Sequence, residues 1–230
     1  MSDSRIMPDP HRYAVCAKED IPIKEFYQGV FEEVFILYHP FIKPKTMEWN
    51  DEEYFGKNVI STHCEPISWT DFLALSSIES HKKLDIGLRS YIGGLNQQFA
   101  GKEAAHVIQE VCEKNKLIVP SEGYFSELLF NKMLEAIKQE GHEWIWCGDE
   151  FGTERKLHYI EDVIEDNNPF GNQRVNLFTH DASILLTTHW DSHFSLLCSD
   201  KETVHRIVSL CNLEGFYCTD KTQLYWSIFD

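Results

Sequence analysis

The stretch Ile184-Leu185-Leu186-Thr187-Thr188-His189-Trp190-Asp191-Ser192-His193-Phe194-Ser195-Leu196-Leu197-Cys198 decides how this chain is read. Two β-prone runs, Ile184 to Trp190 and His193 to Cys198, flank Asp191-Ser192, a turn-forming pair at the spacing of a tight hairpin. Ser199-Asp200-Lys201-Glu202 follows as a capping box, and Val204, Ile207, Val208 and Cys211 give the helix it opens one apolar face. Gly215 lies past that helix, and Leu224 to Phe229 reads as a last strand. Hairpin, helix and strand together can bury a common apolar face, which a lone hairpin cannot do. Asn176 to Asp230 is therefore the clearest unit of the chain.

The same stretch holds the candidate chemistry. On a continuous strand His189, Asp191 and His193 share one face, because side chains alternate with period two. Ile184, Leu186, Trp190, Phe194 and Leu196 then fall on the other face. Two imidazoles and a carboxylate so placed suit a divalent metal such as Zn²⁺ with open positions for water, the arrangement of a metal-dependent hydrolase. His180 and His205 lie near enough in sequence to complete such a site. If Asp191-Ser192 is instead the hairpin tip, His189 and His193 sit on different strands and converge less. The turn chemistry favours the hairpin, so the expectation is a scaffold without a cofactor, and the metal site is the alternative.

Working outward, Glu143 to Cys147 is short and aromatic, bounded by Gly148-Asp149, and reads as a strand. Leu157 to Ile164 leans towards strand, and Asn167 to Asn172 is a loop by composition. Upstream the period is helical. Ile23, Phe26, Tyr27, Val30, Phe31, Val34 and Phe35 recur at three and four residues behind Asp20 and Pro22. Lys43 to Ser61 reads as an exposed connection. Ser68 and Asp71 cap a short helix through Phe72, Leu75 and Ile78, and Gly93-Gly94 breaks the chain. Lys102 to Lys114 forms another helix. The longest stripe runs through Phe125, Leu128, Leu129, Met133, Ala136 and Ile137 to Gly141. The expected class is α+β in a single domain: a mainly helical part over about residues 20–141 and an antiparallel sheet over about 142–230.

Composition narrows the function classes. The chain has 230 residues, of which 21 are Lys or Arg and 37 are Asp or Glu, a formal net charge of −16. That field repels a phosphate backbone or an anionic membrane within a Debye length, so neither nucleic acid nor membrane is expected as a partner. Nine acids against Arg155 and Lys156 lie between Glu140 and Asp166. This is a solvated face or a surface for a basic protein partner. Seven scattered cysteines form no CxxC pair and, with no apolar leader or membrane-length run, suit a cytoplasmic protein with reduced thiols.

Lesser candidates have plain structural readings. Adjacent His63 and Cys64 point to opposite sides of an extended chain and do not make a dyad. Gly148-Asp149-Glu150 reads as a turn with solvated carboxylates, and Trp144, Trp146 and Trp190 as core residues or the lining of a small-molecule pocket. There is no GxSxG elbow, P-loop or GxGxxG.

Thr187 to Phe194, Leu196-Leu197-Cys198 and Glu214-Gly215-Phe216-Tyr217-Cys218-Thr219 resemble the YwbB-like proteins, an uncharacterised family of spore-forming Gram-positive bacteria. The resemblance covers mainly the last third of the chain and implies no activity, cofactor or site residue. The layout is also similar in style to bacterial immunity proteins that neutralise toxins, an analogy of architecture. The leading expectation is a non-enzymatic acidic protein that binds a basic partner.

Overall fold

The computed structural model describes residues 8–50, 55–225, 227 and 228. Its centre is a seven-stranded sheet in the spatial order β5 (Arg155–Tyr159), β4 (Trp144–Asp149), β6 (Val175–Thr179), β7 (Leu185–Thr188), β8 (Phe194–Ser199), β1 (Glu33–Tyr38) and β9 (Gly215–Tyr217). Every neighbouring pair is antiparallel. A two-stranded sheet joins β2 (Phe41–Pro44) and β3 (Cys64–Ile67). The helices are α1 (Ile23–Phe26), α2 (Lys57–His63), α3 (Trp69–Leu75), α4 (His81–Tyr91), α5 (Lys102–Asn115), α6 (Glu127–Gln139), α7 (Ile160–Glu165) and α8 (Lys201–Cys211). None of them is long and apolar enough to cross a membrane among the described residues.

Two cores sandwich the large sheet. Val34, Ile36 and Tyr38 of β1, with Phe178, Leu185 and Leu196, join a core that includes Phe72, Leu84, Leu88 and Ile108 from α3, α4 and α5. Phe35 and Leu37 point the other way, into a core with Met133 and Ile137 of α6, Val163 of α7, and Val204 and Ile207 of α8. Each fully buried aliphatic or aromatic side chain contributes roughly 1.5–3 kcal/mol, so the two cores are the main force holding the layers together.

This arrangement corrects the expectation of a mainly helical first part. β1 lies inside the large sheet, and β2 and β3 also fall before residue 141. A strand buried on both faces shows a continuous apolar run rather than alternation. Val34 to Tyr38 is such a run, and its start completed a false helical stripe behind Ile23 and Phe26. The real helix there stops at Phe26. The supposed connection Lys43 to Ser61 contains the end of β2 and the first turns of α2, while residues 51–54 lie outside the described region. Leu157 to Ile164 divides into the end of β5 and most of α7.

The hairpin at residues 184–198 pairs Leu185 with Cys198 and Thr188 with Ser195, a register centred on Asp191-Ser192. The turn breaks the alternation assumed for a continuous strand: Ile184 and Leu186 face one core, Phe194 and Leu196 the other. α8 starts one residue later than the capping box suggests, with the Asp200 side chain accepting from the Thr203 amide at 2.9 Å. Leu224, Tyr225, Ser227 and Ile228 lie in no strand, and Trp226 and Phe229 fall outside the described residues. The pairing on that edge of β1 comes from β9. Leu224 and Ile228 are buried instead as an irregular tail, and the Ile228 amide donates to Asp85 Oδ2 at 3.2 Å.

Candidate functional site

Five residues, His189 to His193, connect β7 and β8, and the side chains proposed as metal ligands take separate partners. His189 is 3% exposed; its Nε2 lies 2.9 Å from Glu19 Oε1 and its Nδ1 2.9 Å from Ser192 Oγ. Burial, with Arg89 and Arg174 nearby, lowers this imidazole to about 3. The neutral ring therefore donates from Nε2 to the carboxylate and accepts the Ser192 hydroxyl at Nδ1. His193 is buried; its Nδ1 donates to the Pro120 carbonyl at 2.9 Å, and its Nε2 has no hydrogen-bond partner among the described residues. Burial lowers it to about 4. Asp191 is held by its backbone, whose carbonyl accepts from Arg89 Nε at 3.1 Å. Among the described residues no three His, Cys, Asp or Glu side chains gather as a metal-holding group. His180 meets Trp146 Nε1 at 3.2 Å and His205 meets the Tyr217 hydroxyl at 3.0 Å, so both are engaged elsewhere.

What the turn does is fasten a neighbouring loop. Besides His193 on Pro120, His39 Nδ1 donates to the Ser121 carbonyl at 3.0 Å, while its Nε2 accepts from Ser195 Oγ at 2.7 Å. The Gly123 amide donates to the Ser192 carbonyl at 3.0 Å, and Thr188 Oγ1 donates to the Gly123 carbonyl at 3.1 Å. Gly123 has φ +68°, and a Cβ there would stand 2.6 Å from the Trp190 carbonyl oxygen, so only glycine fits this close approach. Loop carbonyls thereby take up one ring nitrogen each of His193 and His39 in a dry interior.

The fastened loop forms one wall of a cavity of about 440 Å³. Its lining includes Glu122, Tyr124, Phe125, Glu127, Phe130 and Phe170. The Phe125 and Phe130 rings lie 5.4 Å apart, and Phe130 meets Phe170 edge-on at 6.1 Å. Glu127, at the first turn of α6, accepts from Ser121 Oγ at 2.6 Å, and burial raises its carboxyl above the usual range. Lys57 at the same cavity is buried, with its ammonium on Asn131 Oδ1 at 2.9 Å and the Ile164 carbonyl at 2.6 Å. Burial lowers it to about 8. A neighbouring cleft of about 530 Å³ includes Glu19, His189, Trp190 and Arg174. Of the three tryptophans considered for a pocket, Trp190 lines this cleft and Trp144 and Trp146 do not.

The acidic stretch spreads over the β4–β5 edge of the sheet. Two of its nine acids are ion-paired: Glu140 with Arg206, at 2.7 Å, and Glu161 with Lys138. Asp149 caps the β4–β5 turn by accepting the Thr153 and Glu154 amides at 2.8 and 3.1 Å. Glu143, Glu150, Glu154, Asp162, Glu165 and Asp166 are exposed. Among them stand large apolar side chains open to solvent, Trp144 at 49%, Phe151 at 69% and Leu157 at 37%. β5 is the terminal strand of the sheet, and its outer edge pairs with no strand among the described residues. Trp144 packs on Tyr159 at 5.2 Å, and the Arg155 guanidinium lies over Trp146 at 4.9 Å.

The smaller candidates resolve structurally. His63 Nδ1 meets Thr46 Oγ1 at 2.7 Å, whereas buried Cys64 points its sulfur at Met47. All seven cysteines are free, and burial pushes Cys16, Cys112 and Cys147 up to about 12.

With this geometry in view, comparison with known sequences adds a family. A profile described as "Protein of unknown function (DUF2711)" matches residues 19–228. The "Uncharacterized protein YwbB" of Bacillus subtilis (strain 168) is 22% identical over 228 residues, covering 90% of this chain and 96% of that protein. No solved structure matches.

Proposed function

Since the chain belongs to the DUF2711 family, whose function is unknown, its own surface is the guide, and we propose that it acts by binding a basic polypeptide at the β4–β5 end of the sheet. The observation that carries this reading is the coincidence of three features at one place. An open strand edge offers backbone donors and acceptors for an added strand. Exposed Trp144, Phe151 and Leu157 supply the apolar anchors that dominate binding energies. Exposed Glu143, Glu150, Glu154 and Asp162 surround them with negative charge, which steers a basic partner and disfavours acidic ones. Arg155 and Lys156 are the only opposing charges in the stretch, and Arg155 is drawn over Trp146. An immunity-type protein that occludes a basic toxin would use such a surface.

The test starts from affinity capture with the intact protein, followed by titration of each recovered partner in purified form. The expected partner is basic, and its binding weakens steeply between low salt and several hundred millimolar salt, where the Debye length shrinks below about 5 Å. Trp144→Ala costs at least about tenfold in affinity, and Asp162→Lys with Glu143→Lys slows association. Recovery of no partner, affinity indifferent to salt, or full binding by the Trp144 variant overturns the proposal.

A further inference from the structure

We propose that the cavity between the Pro120–Phe125 loop, α6 and the Asn167–Gln173 loop is a binding site for a small monoammonium ligand with an aromatic body, its ammonium held by Glu127. The site adjoins the docking surface proposed above, since Phe170 packs on His158 of β5 at 5.8 Å, but it rests on separate observations. At about 440 Å³ the cavity falls within the range of small-molecule pockets, which are mostly apolar with a few convergent polar groups.

The polar groups decide the sign of the ligand's charge. Lys57 is a cation at this cavity, but its ammonium already reaches Asn131 Oδ1, the Ile164 carbonyl and, at 3.4 Å, Asn58 Oδ1. Three donors meet three acceptors, so Lys57 serves the fold. Arg174 stands beside the cavity, 3.5 Å from Glu122 and stacked over Tyr124 at 5.8 Å. Its buried Nε lacks a partner among the described residues, but Arg174 belongs to the adjoining clefts, not to this cavity's lining. Glu122 therefore has a counter-charge. Glu127 has none: its one side-chain donor is the Ser121 hydroxyl, and no Lys, Arg or His pairs with it among the described residues. The amide end of α6 supplies part of the compensation. A carboxylate so enclosed is costly until a cation arrives.

The walls decide the ligand's body. Phe125, Phe130 and Phe170 contact one another at 5.4 and 6.1 Å and present ring faces and edges, with Tyr124 alongside. Such rings favour a flat apolar group and also attract an ammonium through their quadrupoles. An anion placed here would meet the Glu127 carboxylate and find the protons of Lys57 already donated to neutral oxygens, so the site favours the cation.

Calorimetric titration of the full-length protein with two probes of similar shape and opposite charge, 2-phenylethylammonium and 3-phenylpropionate, tests the assignment. The expected result is one-site binding of the ammonium with a dissociation constant on the order of 1 mM or tighter, as suits a ligand of this size. The propionate is expected to bind at least about tenfold more weakly. Glu127→Gln should weaken the ammonium about tenfold or more, and Phe170→Ala, on a loop, should weaken it comparably. No binding of the ammonium, equal binding of both probes, or unchanged binding in the Phe170 variant overturns the proposal. If Glu127→Gln fails to fold by thermal melting, the probe pair and Phe170→Ala still decide it.

Discussion

Three imidazoles are kept neutral inside the fold: His39 and His189 lowered to about 3 and His193 to about 4, in each case first by burial. In the unfolded chain each takes up a proton near pH 6.5. The unfolded state therefore binds more protons as pH falls from about 7 towards 4, and stability declines over that window, by about 2 kcal/mol per ring at pH 5. Asp85, raised to about 6 by burial, acts in the opposite sense, as do Glu122, Glu127 and Asp191, which are also raised. The three rings together outweigh Asp85, whose displacement is smaller than that of any of them. The urea midpoint is expected to be clearly lower at pH 5 than at pH 7.5; an equal or higher midpoint at pH 5 contradicts the neutral-histidine assignment. At this scale the sequence exposed the His189-to-His193 cluster but not its task. Its partners are the carbonyl of Pro120, the amide of Gly123 and a carboxylate at Glu19, which no local pattern brings together.

Elements divide by whether their burial is one-sided. α5, α6 and α8 each have a polar face, so their stripes were readable, and the turn chemistry of Asp191-Ser192 placed the β7–β8 hairpin. β1 is covered on both faces and carried no alternation, while β9, only Gly215 to Tyr217, was too short to show any. Its glycine has a reason that only the packed structure reveals: a Cβ at Gly215 would fall 1.8 Å from the Ile36 carbonyl oxygen. Gly215→Ala must therefore push β9 away from β1, with an expected loss of roughly 1–3 kcal/mol in urea unfolding. An alanine variant as stable as the parent would mean that β9 does not hold this register. The cavity around Glu127 escaped the sequence for a similar reason. Its walls come from a loop before α6, from α6 itself and from a loop some forty residues on, each unremarkable alone.

Across the whole molecule, exposed acidic charge and exposed apolar surface coincide at one edge of the sheet. Exposed Glu143, Glu150, Glu154 and Asp162 and three exposed large apolar side chains share the β4–β5 end, while the cavity that holds the Glu127 carboxylate lies beside it, behind the Asn167–Gln173 loop. The composition foretold the acidity but not its distribution, because pairing of Glu140 with Arg206 and Glu161 with Lys138 depends on α8 and α6 lying beside these segments. The strand order has its own consequence. Among the described residues β1 pairs with no strand but β8 and β9, with Glu33 opposite Ser199 and Phe35 opposite Tyr217. A chain cut after residue 190 is expected to lack cooperative unfolding and to expose apolar surface to a fluorescent dye, whereas a cooperative transition in that fragment would show that β1 finds another partner. On the ribosome, at about 5–20 residues per second, β1 waits on the order of ten to thirty seconds for β8 to be made. During that interval one of the most apolar segments of the chain has no mate, so the moment of greatest vulnerability to aggregation or chaperone capture is set by the order of synthesis, before any equilibrium stability comes into play.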